Sequence, residues 1–321
     1  MTIRGKKVFI TGGAGFIGST IAERLIENNH ITIYDTLHRN ALKYSSIARH
    51  KNLTLIKGDV MDAQKMKKAA KGSHVMIHMA SIAGVDTVMS MPVRTMEVAT
   101  IGTYNALKAA VEQSKLERFI DFSTSEVFGS YAFNVKESDT TTLGTVGEAR
   151  WTYAVSKLCT EHLTLNYYKQ FGLPALAIRP FNIYGPRQVG IGAIHRFIVN
   201  ALKNEKITIH NDGSQIRSWC YIDDIVDGIM LCLEKKQAIG HTFNIGNPRS
   251  TLTIYNLAME IKRLSSSNSK IVFERRDATD VELRVPDIEK AKKILGYKPS
   301  IDLEEGLLRT IHWYRNNLSH D

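Results

Sequence analysis

Thr11-Gly12-Gly13-Ala14-Gly15-Phe16-Ile17-Gly18 is the stretch whose reading decides the fold. An apolar run, Lys7 to Thr11, enters it as a predicted strand, and Phe16 to Asn28 leaves it with helical periodicity. The spacing Gly12-x-x-Gly15-x-x-Gly18 lets the backbone turn tightly, lets a pyrophosphate approach the helix N-terminus, and lets that helix pack closely on a sheet. Asp35 ends a second predicted strand, Ile31 to Asp35, where a carboxylate accepts from a ribose 2′-hydroxyl and repels a 2′-phosphate. Gly12, Gly15, Phe16, Ile17, Gly18 and Asp35 together predict a dinucleotide site that takes NAD rather than NADP, with Arg39 as the opposing cue nearby.

Beyond the loop, short apolar runs keep alternating with longer helical patterns. Strands are expected at Leu53 to Lys57, His74 to Met79, Arg118 to Ser123 and Ala175 to Arg179, with helices at Ala63 to Ala70, at Arg94 to Gln113 and around Tyr153. Runs of this kind make a parallel sheet covered on both faces, so the expected fold is α/β, a Rossmann-type doubly wound parallel sheet. After Pro180 the alternation turns irregular. Helices are expected at Ala193 to Lys203, Asp224 to Glu234, Ile254 to Leu264 and Leu303 to Arg315, and strands at Lys206 to His210 and Ile271 to Glu274. This predicts a cofactor domain over 1–180 and a smaller mixed α/β substrate domain over 181–321, with an interleaved boundary.

Composition narrows the function classes. At 321 residues, 43% hydrophobic and 23% charged, the chain has the make-up of a globular protein with a sizeable core. Its formal net charge of +10 is spread among acids, with short runs such as Lys67-Lys68 and no aromatic-interleaved basic patch. That argues for an anionic small substrate over nucleic acid. Cys159, Cys220 and Cys232 are odd in number and lack CxxC spacing, which argues against a disulfide framework or a zinc site and for a reducing cytoplasm. Arg4, Lys6 and Lys7 precede an apolar run too short for a signal peptide, and no stretch has the length of a membrane span.

Several motifs carry chemistry, each beside a plainer reading. Tyr153 and Lys157 sit four residues apart, so on a helix they share a face, and a fixed ammonium beside a phenol lowers its pKa toward use as a base. By itself that spacing also arises by chance. Asp59, in Gly58-Asp59-Val60, is placed to accept from an adenine amino group or to cap the helix after Met61. Met79, Ala80 and Ser81 end the fourth strand with small residues, as close approach to a cofactor or an ordinary strand end would require. Thr124, Ser125 and Glu126 follow the fifth strand, at the carboxyl edge where open α/β sheets bind ligands. Alone they would be a polar loop; beside Tyr153 and Lys157 they read as a catalytic cluster.

Taken together these residues resemble the extended short-chain dehydrogenase/reductases, in particular the NAD-dependent nucleotide-sugar epimerase/dehydratase family. The resemblance runs nearly end to end, through TGGAGFIG, Asp35, Gly58-Asp59-Val60, TSEVFG, YAVSK, Arg179-Pro180-Phe181-Asn182-Ile183-Tyr184-Gly185-Pro186-Arg187, Arg217 before Tyr221-Ile222-Asp223-Asp224, and Arg284 in Leu283-Arg284-Val285-Pro286-Asp287. It implies that Tyr153 takes the proton of a sugar 4-hydroxyl during oxidation by NAD, that Lys157 binds the nicotinamide ribose, and that Thr124 hydrogen-bonds the 4-oxygen. It further implies that Asn182, Arg217 and Arg284 hold the nucleotide diphosphate, and that two subunits pair through the helices near Val98 to Val111 and Tyr153 to Tyr168. The step after the 4-keto sugar is expected to turn on Ser125 and Glu126. Simple 4-epimerases resemble this loop without the acid, 4,6-dehydratases use a Glu with a neighbouring acid, and UDP-glucuronate decarboxylases carry Ser-Glu. Arg150-Trp151-Thr152-Tyr153 is similar to the approach in a bacterial aminoarabinose-pathway decarboxylase, so decarboxylation is the favoured expectation, with dehydration and epimerisation as alternatives. Phe128 stands where Tyr is usual, and Met79-Ala80-Ser81 where Leu-Ala-Ala is frequent. A non-catalytic NAD sensor is the reading from another class, and the joint presence of Thr124, Tyr153 and Lys157 speaks against it.

Overall fold

The structure is a computed structural model that describes residues 3–190, 192–276 and 280–317. In chain order its elements are β1 (Lys7–Thr11), α1 (Phe16–Leu25), β2 (His30–Asp35), β3 (Leu53–Lys57), α2 (Ala63–Ala69), β4 (Val75–His78), α3 (Val85–Ser90), α4 (Pro92–Val111), β5 (Arg118–Phe122), β6 (Tyr131–Val135), α5 (Thr152–Phe171) and β7 (Ala175–Pro180). There follow β8 (Ile183–Tyr184), α6 (Ala193–Leu202), β9 (Ile207–His210), β10 (Ile216–Ser218), β11 (Cys220–Tyr221), α7 (Ile222–Glu234), β12 (Thr242–Ile245), β13 (Thr251–Thr253), α8 (Ile254–Leu264), β14 (Ile271–Glu274), β15 (Leu283–Pro286), α9 (Glu289–Leu295) and α10 (Leu303–Asn317).

Seven parallel strands form the main sheet in the order β12-β7-β5-β4-β1-β2-β3. The order reverses between β1 and β4, and the glycine loop leaves β1 at that switch point, where such sheets bind ligands. Alternation along the strands splits the core in two. Val8 and Ile10 of β1 point into one apolar cluster with Ile21, Ile33, Ile178 and Phe243, while Phe9 points into the other with Tyr34, Met76, Leu107 and Phe119. The second cluster lies under α2, α4 and α5.

The division expected at 180/181 is crossed in both directions. β12 comes from the later part of the chain and forms an edge of the main sheet beside β7. β6 comes from the earlier part and forms an edge of the four-stranded sheet β13-β10-β15-β6. The expected helices of the second half are present, and β9 pairs with β14 in a separate two-stranded sheet. The first helix stops at Leu25, three residues short of the expected Asn28, because residues 26–28 tighten into a 3-10 turn. Among the described residues, no helix is long and apolar enough to cross a membrane.

Candidate active site

The glycine loop is shaped by close backbone contacts. Gly12 has φ +70°, and a Cβ there would lie 2.8 Å from the Ala80 backbone nitrogen. At Gly18 a Cβ would come within 2.6 Å of the Gly13 Cα and 2.7 Å of the Gly12 carbonyl oxygen, so only glycine lets α1 sit this near the loop. On the outer side of Gly15 an added Cβ would meet nothing nearer than the Gly12 oxygen at 3.2 Å, which leaves that side open at the start of α1. Phe16 and Ile17 begin the helix. Asp35 ties β2 to the loop, one carboxylate oxygen accepting from Ala14 N (3.0 Å) and the other from Leu37 N (2.7 Å). Arg39 donates instead to the Ala83 carbonyl (3.0 Å), which commits it to the segment after β4.

Across the switch point, Thr11 Oγ1 accepts from the backbone of Met79 and Ala80, and Val60 is buried with its carbonyl accepting from Asn105. Asp59 accepts from Met61 N (3.0 Å) and pairs with Arg94 (2.7 Å); the cap of α2 is Asp62, which accepts from Lys65 N. Ser81 Oγ and Lys157 Nζ are both buried without a hydrogen-bond partner among the described residues. A cradle that only glycine fits, an open helix N-terminus, a carboxylate at the end of β2 and two orphaned polar groups, one after β4 and one on α5, fit a dinucleotide.

Tyr153 and Lys157 occupy the first turns of α5, a helix without internal Gly or Pro that ends on Gly172 in the left-handed conformation. Thr124 caps the turn after β5, its Oγ1 accepting from Glu126 N (3.2 Å), and its hydroxyl is close enough to the Tyr153 phenol to favour the ionised form. The expectation that Lys157 lowers the phenol's pKa is corrected here. Burial pushes Tyr153 well above its ordinary value, the charge of Glu126 adds to that, and the Thr124 hydroxyl only partly opposes it.

Glu126 is the centre of a charged cluster. Arg150 donates to it at 2.6 Å, and the Arg284 guanidinium stands 3.9 Å from its other oxygen. Asp280 lies 3.6 Å from Arg217 and 3.9 Å from Arg150. All three arginines are buried, and Nε of both Arg150 and Arg284 lacks a hydrogen-bond partner among the described residues. Burial opposes ionisation of Glu126, yet the charges of Arg150 and Arg284 and the Arg150 hydrogen bond outweigh it and hold the carboxyl below its usual range. Arg284 also donates to the Gly129 carbonyl, and Arg217 to the carbonyls of Ile216 and Val281. Ser125 is buried beside Glu126, whereas Asn182, with φ +25°, holds the Ser218 carbonyl at 2.9 Å.

Known proteins match this arrangement along its length. The model of the family described as GDP-mannose 4,6 dehydratase matches residues 9–310. The chain belongs to this family. Its sequence is 36% identical to the UDP-N-acetyl-alpha-D-glucosaminuronate decarboxylase of Bacillus cytotoxicus, over 97% of this chain and 98% of that one. It is 33% identical to UDP-glucuronic acid decarboxylase 1 of Xenopus tropicalis, over 98% and 73% respectively. Among solved structures, UDP-glucuronic acid 4-epimerase from Bacillus cereus, in complex with UDP-glucuronic acid and NAD, superposes with a TM-score of 0.87 at 29% identity, covering 97% of this chain and 99% of that one. The chain is thus an extended short-chain dehydrogenase/reductase of the nucleotide-sugar epimerase/dehydratase type.

Against that family background, tertiary structure adds residues that the motifs did not single out. Arg150 was visible only as part of the Arg-Trp-x-Tyr resemblance, and its ion pair with Glu126 needs the turn at residues 149–151 to bring it over the loop after β5. Asp280 carried no signal. His78 and Asp121 stand buried in β4 and β5; the one available cue was a carboxylate in the otherwise apolar run Phe119-Ile120-Asp121-Phe122.

Proposed function

We propose that this chain is an NAD-dependent decarboxylase of a UDP-linked uronic acid, acting through a 4-keto sugar. The observation that carries the reading is a gathering of three arginines next to Thr124 and Tyr153, Arg150 and Arg284 beside Glu126 and Arg217 beside Asp280. Three buried guanidiniums stand beside two partly buried carboxylates, Glu126 and Asp280, which leaves positive charge and unspent donors for an anionic sugar substituent. Named relatives that act on carboxylated UDP-sugars support it.

NAD held by the glycine loop, Asp35 and Lys157 would supply the reversible oxidation at sugar C4. Tyr153 Oη accepts the proton of the 4-hydroxyl, and Thr124 hydrogen-bonds the same oxygen. With a carbonyl at C4, the C5 carboxylate is that of a β-keto acid. The arginine cluster holds the carboxylate; the bond from C5 to it breaks, its electron pair passes into a C4–C5 enolate, carbon dioxide leaves, and C5 takes a proton. Dehydration would need a protonated acid to expel a 6-hydroxyl, but the loop's single carboxyl, Glu126, is held ionised by Arg150, and its neighbour Ser125 is a hydroxyl. Asn182, Arg217 and Arg284 are assigned to the nucleotide diphosphate, and Asp59, Val60, Met79, Ala80 and Ser81 to the cofactor.

We further propose a homodimer paired through α4 and α5, whose outer faces expose Val93, Met96, Ile101, Tyr104, Val155 and Phe171. The activity is tested by incubating the protein and NAD with UDP-glucuronate, UDP-N-acetylglucosaminuronate and the UDP, GDP, CDP and dTDP hexoses, then weighing the products. Loss of carbon dioxide from a uronate is expected. Loss of water, or an isomer of unchanged mass, would overturn the reading in favour of dehydration or epimerisation.

A further inference from the structure

Asp121 lies fully buried in the middle of β5, a strand covered on both faces, where an unpaired carboxylate is costly. Thr11, His78 and Asp121 are lateral partners across β1, β4 and β5, so their side chains leave the sheet on one face, the face that α4 and α5 cover. Thr11 Oγ1 meets His78 Nδ1 at 2.8 Å, and His78 Nε2 meets Thr103 of α4 at 3.1 Å. Thr160 of α5 donates to one Asp121 oxygen at 3.3 Å. The other Asp121 oxygen and the nearby Lys157 Nζ are both buried, and neither has a hydrogen-bond partner among the described residues.

The charged and titratable groups that face this spot are few. β4 contributes His78 and β5 contributes Asp121; α5 contributes Tyr153, Lys157 and Glu161; the loop after β5 contributes Glu126; and α4 presents the uncharged Thr103. Glu161 is committed to Arg179 by two hydrogen bonds and to Ser123 and Thr242, and Glu126 to Arg150. His78 is neutral, pushed down to about 3 by burial and then by the charge of Lys157. Burial pushes the Asp121 carboxyl up to about 6, and the charge of Lys157 opposes that rise. Burial lowers the pKa of Lys157, and Asp121 is the group that counters it.

We infer that Asp121, held by Thr160 beneath α5, is a positioning residue whose buried carboxylate is the counter-charge that keeps Lys157 protonated in the Tyr153–Lys157 pair. The inference rests on the catalytic reading of that pair given above. The test has two arms.

The first measures urea midpoints of the full chain without cofactor for Asp121→Asn, Lys157→Met and the double variant at neutral pH. Asp121→Asn keeps the acceptor for Thr160 and removes the charge, so it should lower the midpoint, and adding Lys157→Met should restore part or all of that loss. If Asp121→Asn fails to fold, the double variant should fold. Additive losses, or a double variant as unstable as the worse single, overturn the inference.

The second arm follows single-turnover reduction of bound NAD by a UDP-sugar from about pH 6 to pH 10. In Asp121→Asn the alkaline loss of rate should move down by roughly one pH unit or more, the usual effect of deleting an opposite charge beside a lysine. A uniformly slower rate with an unmoved profile would mean Asp121 is only structural. A parent protein that reduces no NAD with any sugar would instead sink the catalytic reading, and leaves the first arm intact as the judge of the ion pair.

Discussion

Glu126 and His78 are two ionisable side chains, one partly and one fully buried, with opposite tasks. Arg150 at 2.6 Å favours the charged form of Glu126 against a burial that opposes it. Glu126→Gln keeps the shape and loses the charge, so mixing with NAD and the uronate should still yield the reduced-nicotinamide absorbance and a 4-keto sugar, while release of carbon dioxide slows by roughly a hundredfold or more. Tyr153→Phe in the same stopped-flow experiment should give neither signal. A Glu126→Gln protein that turns over normally would make Glu126 a bystander. His78 is held neutral between Thr11 and Thr103. Its folded pKa lies below the unfolded one, so the unfolded chain binds the extra proton first and stability falls as pH drops from about 6.5 toward 3, by at most about 1.4 kcal/mol per pH unit from this group. Asp121 works the other way between about pH 4 and 6, since its folded pKa is raised. The difference between parent and His78→Gln is therefore the measure: in denaturant titrations at a series of pH values, the variant should lose less stability on acidification than the parent.

At the scale of elements, α5 must carry Tyr153 and Lys157 at a fixed height over the carboxyl edge of the sheet. Its register is set from below by Glu161, which accepts from Arg179 on β7 at 2.8 and 3.0 Å, from Ser123 after β5 at 2.5 Å and from Thr242 on β12 at 2.9 Å. One carboxylate thus ties a helix to three neighbouring segments of the sheet, and the Arg179 guanidinium also packs over the Phe128 ring. Removing one member of such a pair leaves the other buried and uncompensated. Arg179→Met is expected to cost about 3–5 kcal/mol in urea denaturation, and Arg179→Met with Glu161→Gln less than the sum of the two single losses. A cost under about 1 kcal/mol, the range of an exposed pair, would mean that the bracket does not hold α5 in place.

At the scale of the whole molecule, the helices that carry and flank the site leave several large apolar side chains exposed. Val93, Met96, Ile101 and Tyr104 on α4, with Val155 and Phe171 on α5, remain exposed in the single chain. Exposing that much apolar surface is unfavourable in water, and pairing with a second copy through the same two helices buries it on both sides of a two-fold axis. Light scattering of the parent at micromolar concentration should give twice the mass of one chain. Ile101→Arg, which places a charge in the centre of that surface, should shift the mass to that of a monomer and leave the glycine loop untouched. A monomeric parent would refute the pairing.

Fold class, the glycine loop with Asp35, and the Tyr153–Lys157 and Thr124–Glu126 motifs were legible in the sequence because each depends on local order: alternation of period two, helical period, and spacing within one turn. Glycines betray the loop, since their positions follow from backbone clashes that no side chain survives. The short strands β6, β8, β10, β11, β12, β13 and β15 were not foreseen, because two to five residues carry no periodicity and their pairing partners lie far along the chain. For the same reason the exchange of β6 and β12 between the two sheets belongs to tertiary structure. The state of the site was decided there too. A spacing of four from Tyr153 to Lys157 says that they share a helix face, but whether the phenol's pKa falls or rises depends on the water excluded around it and on charges from other elements. Burial and Glu126 raise it, and Arg150 and Arg284 come to Glu126, and Arg217 to Asp280, from three separate places in the chain. Sequence specifies which groups exist and which are neighbours along a helix; dehydration and long-range charge are sums over the folded interior, and only the fold performs them.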